Sequence, residues 1–570
     1  MKPDLLIRDP EYMTALDDMG FCVAPLFSLA QIDQIKELYH EFSIQNNVSG
    51  LIASHSKIGG DKNLRLSGAL RDIVMPALSA WFADFDFFIG GFMVKEGNNP
   101  KELTLHQDWN IVDEKLYTSY QIWVPVDLSY PDNAGMFVVP GSHRFFDNYR
   151  SGSYSIPDVV ADEHIRPYTV DMIIPPGHAL VFHNSLFHAS YPNHSAQNRV
   201  SAIISIYKKN APLSYFQKNA AEGKTDVYQI TPEIFLTTLN KLENGGIPDS
   251  YLAHSEAPLQ LLENRAISSE DLAVRYLSSI GGDAAGFEPV QRHILRDKNT
   301  EQSMKKDGYV VLDFLSPETV EELKAEYDRL FKAPGTNIGR FTPMEHATAE
   351  SKRYIHNFII DKVRSRLDHY FQNYQTPIAS FFTKYAHSTG DLSWHNDASL
   401  IINTHLEPHY GIWCPLIDVD ESNGAFCLVE GSHKFCHSVY VDGIQWPFSQ
   451  YIPEFDRIGR VLHLRAGQMV LFDLRLIHNA VPNQSDQDRL VFAIRLTHTA
   501  TRYYSFLCED PARDAISMYE EKPDYYLRDD WSGANQAGSR NIKMGEMQHI
   551  YTQIDRAAIA RRLKSETAAI

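Results

Sequence analysis

LFHASYPNHSAQNR (186–199) returns 290 positions later as LIHNAVPNQSDQDR (476–489). The two segments share an apolar lead, a histidine, a Pro-Asn turn and a closing arginine. The same offset carries IWVPVD, from Ile122, onto IWCPLID, from Ile412, and NAGMFVVPGSHR (133–144) onto NGAFCLVEGSHK (423–434). Upstream, a one-residue slip makes the offset 289, which joins LHQDWN (105–110) to WHNDAS (394–399) and Lys95 to Lys384. Further out, MGFCVAPLFSLAQIDQIKELYHEF from Met19 matches DGYVVLDFLSPETVEELKAEYDRLF from Asp307, each a short strand followed by an amphipathic helix. On the far side ITPEIF (230–235) pairs with EKPDYY (521–526). Agreement of this length makes the chain a tandem duplication of one domain, with repeats at about 19–237 and 307–528.

The length agrees: 570 residues exceed the ~250–300 at which a single core stops growing. The expected division is a first domain over 1–255, a helical linker over 256–300, a second domain over 301–530 and a C-terminal helical tail over 531–570. The linker helix is read over 259–280, with a Ser-Ser-Glu-Asp start signal inside it, and the tail helix from Met544 to Leu563. Within each repeat, runs rich in Val, Ile, Phe and Trp alternate with Pro, Gly, Asn and Asp, the pattern of an all-β sandwich or jelly roll.

Composition excludes some classes of partner. A formal net charge of −19 with no Lys/Arg-rich block argues against nucleic acid and against anionic lipid. No uninterrupted apolar run is long enough to span a bilayer, so no membrane segment is expected. Five cysteines (Cys22, Cys414, Cys427, Cys436, Cys508), odd in number and without a Cys-x-x-Cys pair, fit a reducing compartment. The N-terminus has scattered acids and no apolar signal region, so the protein is expected to be cytoplasmic.

The chemistry lies in what both repeats keep. His106 and Asp108 stand two apart, and on an extended strand such residues share a face at roughly 6.5–7 Å, close enough to hold one ion. A lone His-x-Asp is more often a surface pair. Here it recurs as His395 and Asp397, and each copy is followed, 80 or 81 positions past the Asp, by a histidine after an apolar strand, His188 or His478. Two imidazoles and one carboxylate form the facial triad of non-haem Fe(II) oxygenases, which leaves coordination positions open for a cosubstrate and oxygen. Arg199 and Arg489 each stand 11 positions beyond the second histidine, and a planar guanidinium there can clamp a carboxylate through two parallel hydrogen bonds. His183, which aligns with Asp473, is read as structural, as are His143 and His433 of the Gly-Ser-His turns.

The order of these features resembles the phytanoyl-CoA dioxygenase family across nearly all of both repeats. That order is a Gly-Phe/Tyr-x-Val opening, Lys, His-x-Asp, Trp, Gly-Ser-His, distal His and Arg. The resemblance implies a mainly β fold with flanking helices, two tandem double-stranded β-helix (jelly-roll, cupin-like) domains. It implies Fe(II), 2-oxoglutarate as cosubstrate and O₂. Carried over by position, His106, Asp108 and His188 bind iron in the first domain, Arg199 binds the far carboxylate of 2-oxoglutarate, and Lys95, Gln107, Trp123 and Ser190 line its pocket. The second domain keeps His395, Asp397, His478, Arg489, Trp413 and Lys384, but has Asn396 for the Gln and Ala480 for the Ser.

By the same resemblance the reaction is hydroxylation, desaturation or cyclisation at an unactivated C–H of a small molecule, with succinate and CO₂ as coproducts. Halogenases of the family lack the carboxylate ligand that both repeats retain. Three readings follow: two working sites; one working site in the first domain beside a degenerate second; or a non-oxidative metal-binding double jelly roll, which the paired arginines speak against. Trp109, Asn110 and Tyr120, and Ser399, His405 and His409, are the residues expected to border the pockets, and they differ between repeats. A biosynthetic role is expected; the substrate is not legible.

Overall fold

The structure is a computed structural model that describes residues 6–42, 44, 50–154, 158–247, 252–253, 259–260, 267–280, 290–331, 340–388, 392–397, 400–435, 446, 448–510, 515–529 and 542–548. The chain divides into two compact units, Met1–Ala284 and Ala285–Ile570, and each is a jelly roll of two antiparallel sheets. In the first unit the larger sheet runs Phe21–Ala24, Ala179–His183, Ser119–Pro125, Arg199–Lys208, Phe85–Lys95, Leu51–Ala53. The smaller runs Leu103–His106, His188–Ser190, Met136–Val138, Val170–Asp171. The second unit repeats both orders. Its larger sheet is Tyr309–Asp313, Gln468–Asp473, His409–Pro415, Arg489–His498, Tyr374–Lys384, Arg340–Phe341, and its smaller is Leu392–His395, His478–Ala480, Phe426–Leu428, Arg460–Val461.

Period-two alternation sorts the side chains of the larger sheet. Ile412, Cys414, Phe492 and Ile494 pack outward against Val320 and Leu323 of the helix Pro317–Phe331 and Ile355, Ile359 and Val363 of Ala349–Tyr370. Trp413 and Val491, one position away on the same strands, point inward with Phe426, Leu428 and Phe472 between the sheets. The inner face is where the functional side chains must stand. Each repeat opens with a helix ended by a left-handed glycine, Gly20 (φ 83°) or Gly308 (φ 81°), that turns straight into the first strand. A Cβ on either would lie 2.4 Å from Nδ1 of His143 or His433, so the Gly-Ser-His histidines lie against bare glycine backbone. This gives them the structural role expected of them.

The linker and tail differ from expectation. The start signal is real: Ser268 caps the helix Ser269–Ser279 in a reciprocal capping box with Asp271. That helix docks on the first domain, where Ser269 donates to Asp162 (2.7 Å), Arg275 donates to the Phe145 carbonyl (2.9 Å) and Tyr276 stacks on Tyr168. It therefore belongs to the first domain's surface. The expected helix does not begin at 259, because Leu259–Gln260 extend and pair with Lys224–Gln229. Residues 290–300 belong to the second unit, with Leu295 bridged to Phe371. Met544 lies in a strand, Lys543–Gln548, that adds to Ala515–Glu521; its backbone partners are on that sheet, and the rest of the expected tail helix lies outside the described residues. Cys22, Cys414, Cys427 and Cys508 form no disulfide, and Cys436 is outside the described residues. Among the described residues no helix is long and apolar enough to cross a membrane.

Candidate metal and cosubstrate site

Strand register brings together histidines that lie far apart in sequence. His188 is the cross-strand partner of His106, and His478 of His395. The ring centroids lie 4.3 Å apart at 50° in both domains. Asp108 and Asp397 follow just past the strand, where their backbone N–H groups are pinned by the carbonyls of Asn184 (2.9 Å) and Leu474 (3.0 Å). In each triad one ligand atom per residue falls within 4.8 Å of the others, a donor set able to hold one metal ion.

The imidazoles are held in one tautomer. Each Nδ1 donates to the carbonyl two residues earlier: His106 to Thr104 (2.8 Å), His188 to Leu186 (3.0 Å), His395 to Ser393 (2.8 Å) and His478 to Leu476 (2.9 Å). Nε2 is thereby left as the lone-pair donor facing its neighbours, as a metal ligand requires. Burial, then the adjoining imidazole, pulls His188 and His478 down to about 4, so both are neutral at physiological pH. Asp108 Oδ2 is buried with no hydrogen-bond partner, 3.9 Å from His188 Nε2. A buried carboxylate oxygen without a donor is satisfied by a cation.

Behind each triad, on the inner face of the larger sheet, sits a buried guanidinium. Arg199 pairs in register with Lys95, and Arg489 with Lys384. Arg199 lies over the Trp123 ring at 5.2 Å and donates to Ser201 (2.8 Å); Arg489 lies over Trp413 at 5.5 Å. Among the described residues no carboxylate pairs with either arginine, and Nε of each is buried without a partner. Burial draws both down to about 10, and burial followed by the Arg199 charge draws Lys95 down to about 8. Two buried cations side by side, the guanidinium without a carboxylate partner, form a well for an anion. Lys95 also donates to Ser190 Oγ (3.3 Å) and the Tyr191 carbonyl (2.5 Å), and Lys384 to the Ala480 and Val481 carbonyls (2.8 and 2.7 Å).

Gln107 and Asn396 hydrogen-bond within the protein. Gln107 is fully buried; its amide nitrogen donates to the Ser185 carbonyl (2.5 Å), and its Oε1 is buried without a hydrogen-bond partner. Asn396 accepts from the Trp446 indole (2.7 Å). Both stand between His and Asp in the His-x-Asp motif, one position past the end of the strand.

A cavity of about 210 Å³ in the second domain reaches His395, Asp397, His478, Trp413, Lys384 and Arg489 together, so triad and arginine share one space. In the first domain a cavity of about 220 Å³ opens on Asp108, with Trp109, Gln121, Ser205, His55 and Phe235 in its wall. Of the residues expected to border the pockets, Trp109 does so. His409 is buried near Asp397, Asn110 accepts from the Arg150 backbone, Tyr120 stands edge-on to His183, His405 is buried, and Ser399 is outside the described residues. Sequence reasoning missed Arg495. It lines the second cavity, with Nη2 3.3 Å from Asp397 Oδ1 and its Nη1 donating to the Tyr526 hydroxyl. Burial works to raise the Asp397 carboxyl, but Arg495 and then His478 and His395 carry it below the usual range. The available signal was one cation inside the apolar run RLVFAIRLTH (489–498), at the place where the first repeat has Ser205.

The profile described as phytanoyl-CoA dioxygenase (PhyH) matches the chain twice, over residues 30–201 and 304–491. No curated protein matches. Similar solved structures include HygX from Streptomyces hygroscopicus with nickel and 2-oxoglutarate bound, at 17% identity, 36% of this chain, 88% of the other and a TM-score of 0.27. The carbocyclase SnoK from nogalamycin biosynthesis is similar at 17% identity, 36% and 86%, with a TM-score of 0.29. EctD from S. alaskensis with bound Fe gives 17%, 37% and 79%, with a TM-score of 0.28.

Proposed function

The chain belongs to the phytanoyl-CoA dioxygenase family and is an Fe(II)- and 2-oxoglutarate-dependent oxygenase; from that premise we propose that both domains are working centres acting on an unactivated C–H bond of a small organic molecule. His106, Asp108 and His188 would hold iron in the first domain, and His395, Asp397 and His478 in the second. Arg199 with Lys95, Trp123 and Ser190, and Arg489 with Lys384 and Trp413, would receive 2-oxoglutarate. The observation that carries this reading is the buried guanidinium without an acid partner beside each triad, a placement with no purpose in a purely structural metal site.

Bound iron, with 2-oxoglutarate and O₂, supplies the oxidising power, and succinate and CO₂ are the coproducts. The chain's own residues position and enclose. The indole of Trp123 or Trp413, with the guanidinium carbon over its ring, would back the arginine that receives the carboxylate. Lys95 and Lys384, fixed by backbone carbonyls, add charge without flexibility. The apolar wall, Trp109 and Phe235 in one pocket and Phe382 and Phe426 in the other, excludes water from the reacting centre. Retention of both aspartates favours hydroxylation, desaturation or cyclisation over halogenation. A biosynthetic role in the cytoplasm accords with the two dissimilar pockets and the cysteines that form no disulfide.

A second reading, in which only the first domain turns over, has one observation in its favour: Arg495 already pairs with Asp397. Succinate release without added substrate separates the two. Two working sites predict that His188→Ala and His478→Ala each leave part of the release and that the double variant leaves none. Release unaffected by His478→Ala would assign turnover to the first domain, and release unaffected by both changes would end the proposal.

A further inference from the structure

Strand register holds the two histidines of the first triad, but Asp108 stands two positions past the end of Leu103–His106, outside the ladder. Its peptide is held on both sides by other means. The N–H donates to the Asn184 carbonyl (2.9 Å), and the carbonyl accepts from Nε of Arg150 (2.6 Å). Arg150 is 1% exposed, one of the largest side chains buried in the protein. Its Nη1 donates to the Asn148 carbonyl (3.2 Å), and its Nη2 donates to both carboxylate oxygens of Glu114 (2.6 and 2.7 Å). The backbone closes the same contact: the Asn110 N–H donates to the Arg150 carbonyl (3.0 Å), and the Arg150 N–H donates to Asn110 Oδ1 (2.5 Å). The segment that carries Arg150 is in turn anchored to the wall of the first cavity. Ser151 donates to the Phe216 carbonyl (2.6 Å), the Tyr154 and Thr225 hydroxyls share a hydrogen bond (2.6 Å), and a Cβ on Gly152 would overlap the Leu242 carbonyl. Leu242 lies in the last turn of the helix Pro232–Glu243, whose Phe235 and Leu239 line the cavity on which Asp108 opens.

We propose that Arg150 is the positioning residue of the first metal site: it fixes the Asp108 peptide from the carbonyl side and ties it to the helix that walls the substrate cavity. This rests on the reading of the first triad as a metal site. The guanidinium contacts the Asp108 backbone and its charge is met by Glu114, so its influence on a bound metal runs through where the Asp108 carboxylate stands. A planar fork suits the place, because one edge reaches a carbonyl while the other takes a carboxylate through two N–H groups. Lysine, a point charge on a flexible stem, does not reproduce that fork. Glu114 completes the device, since a guanidinium buried this deeply needs its partner. Hydrogen bonds that orient a ligand in this way govern metal affinity without touching the ion.

The test titrates Mn(II) into the full chain carrying His395→Ala, so that the first triad is the site followed. Electron paramagnetic resonance reads free and bound ion, and thermal unfolding is followed on the same samples. The expected result is Mn(II) bound by this parent chain, with a dissociation constant raised about tenfold or more by Arg150→Met. The bound spectrum should broaden in that variant as Asp108 loses its fixed place. Arg150→Lys should recover part of the affinity, and Glu114→Gln, which keeps an acceptor and removes the charge, should weaken binding less than Arg150→Met does. Variants that lower the unfolding temperature yet keep the parent's affinity and line shape would overturn the proposal, because Arg150 would then serve stability alone. Should Arg150→Met not fold, Arg150→Lys and Glu114→Gln decide, and parent-like affinity in both would overturn it. A parent chain that binds no Mn(II) would remove the reading of the first triad, and this proposal with it.

Discussion

Ser205 faces Gln121 in the first domain where Arg495 faces Gly411 in the second, yet the imidazole pairs a few ångströms away coincide in distance and angle. Backbone register fixes the ligands: a histidine at the cross-strand partner position cannot drift without slipping the strand and reversing every face. The cavity wall is set by side chains alone, and duplication leaves it free to diverge in charge while volume is kept. The domains therefore differ in the side chains of that wall, and the difference can be probed one residue at a time.

The largest effect is expected at the cosubstrate arginines. Arg199→Ala and Arg489→Ala should each lower 2-oxoglutarate affinity in their own domain by about 100-fold, roughly the value of a lost bidentate charge pair, read by calorimetric titration. Equal weakening of both sites by either variant would break the picture of independent pockets.

Acid should weaken the second domain through His433. Burial holds this imidazole down to about 3, helped by Arg475 and Lys434 against Asp473. The folded value lies below the unfolded value of about 6.5, so the unfolded chain takes the proton first. Stability is full above about pH 6.5 and declines as pH falls toward about 3, by on the order of 4–5 kcal/mol. Hydrogen exchange of the strand Gln468–Asp473 should accelerate over that window, and His433→Gln should flatten the response; an unchanged slope would contradict the assignment.

Gly411→Gln places the first domain's residue in the second. Contact with Phe472 and Leu474 should cost about 1–3 kcal/mol, seen as a lower urea midpoint, and adding Arg495→Ser should not restore it because the obstruction is at Cβ. The smallest effect is expected for Ser190→Ala, which gives the first pocket the second's alanine. Lys95 keeps its bond to the Tyr191 carbonyl, so 2-oxoglutarate affinity should fall by no more than about fivefold, within ~1 kcal/mol.

Repetition makes much of this legible. The duplication, the jelly-roll pattern, both His-x-Asp pairs, both distal histidines and both arginines stand out because two copies filter chance from pattern. The bond from Gln107 to the Ser185 carbonyl is not legible, because it joins residues far apart in sequence. Lys543–Gln548 misleads because a helical pattern in an isolated segment does not reveal a waiting sheet edge. Arg495 stays silent because an aligned Ser-to-Arg change has no meaning until strand register sets it opposite Gly411 and within reach of Asp397.

The central claim is that two triads make two sites, and anaerobic titration of the metal-free protein with Fe(II) and 2-oxoglutarate tests it most directly. The metal-to-ligand charge-transfer band should saturate at two equivalents per chain, with one lost in His106→Ala and the other in His395→Ala. Saturation at one equivalent, lost only in His106→Ala, would contradict it.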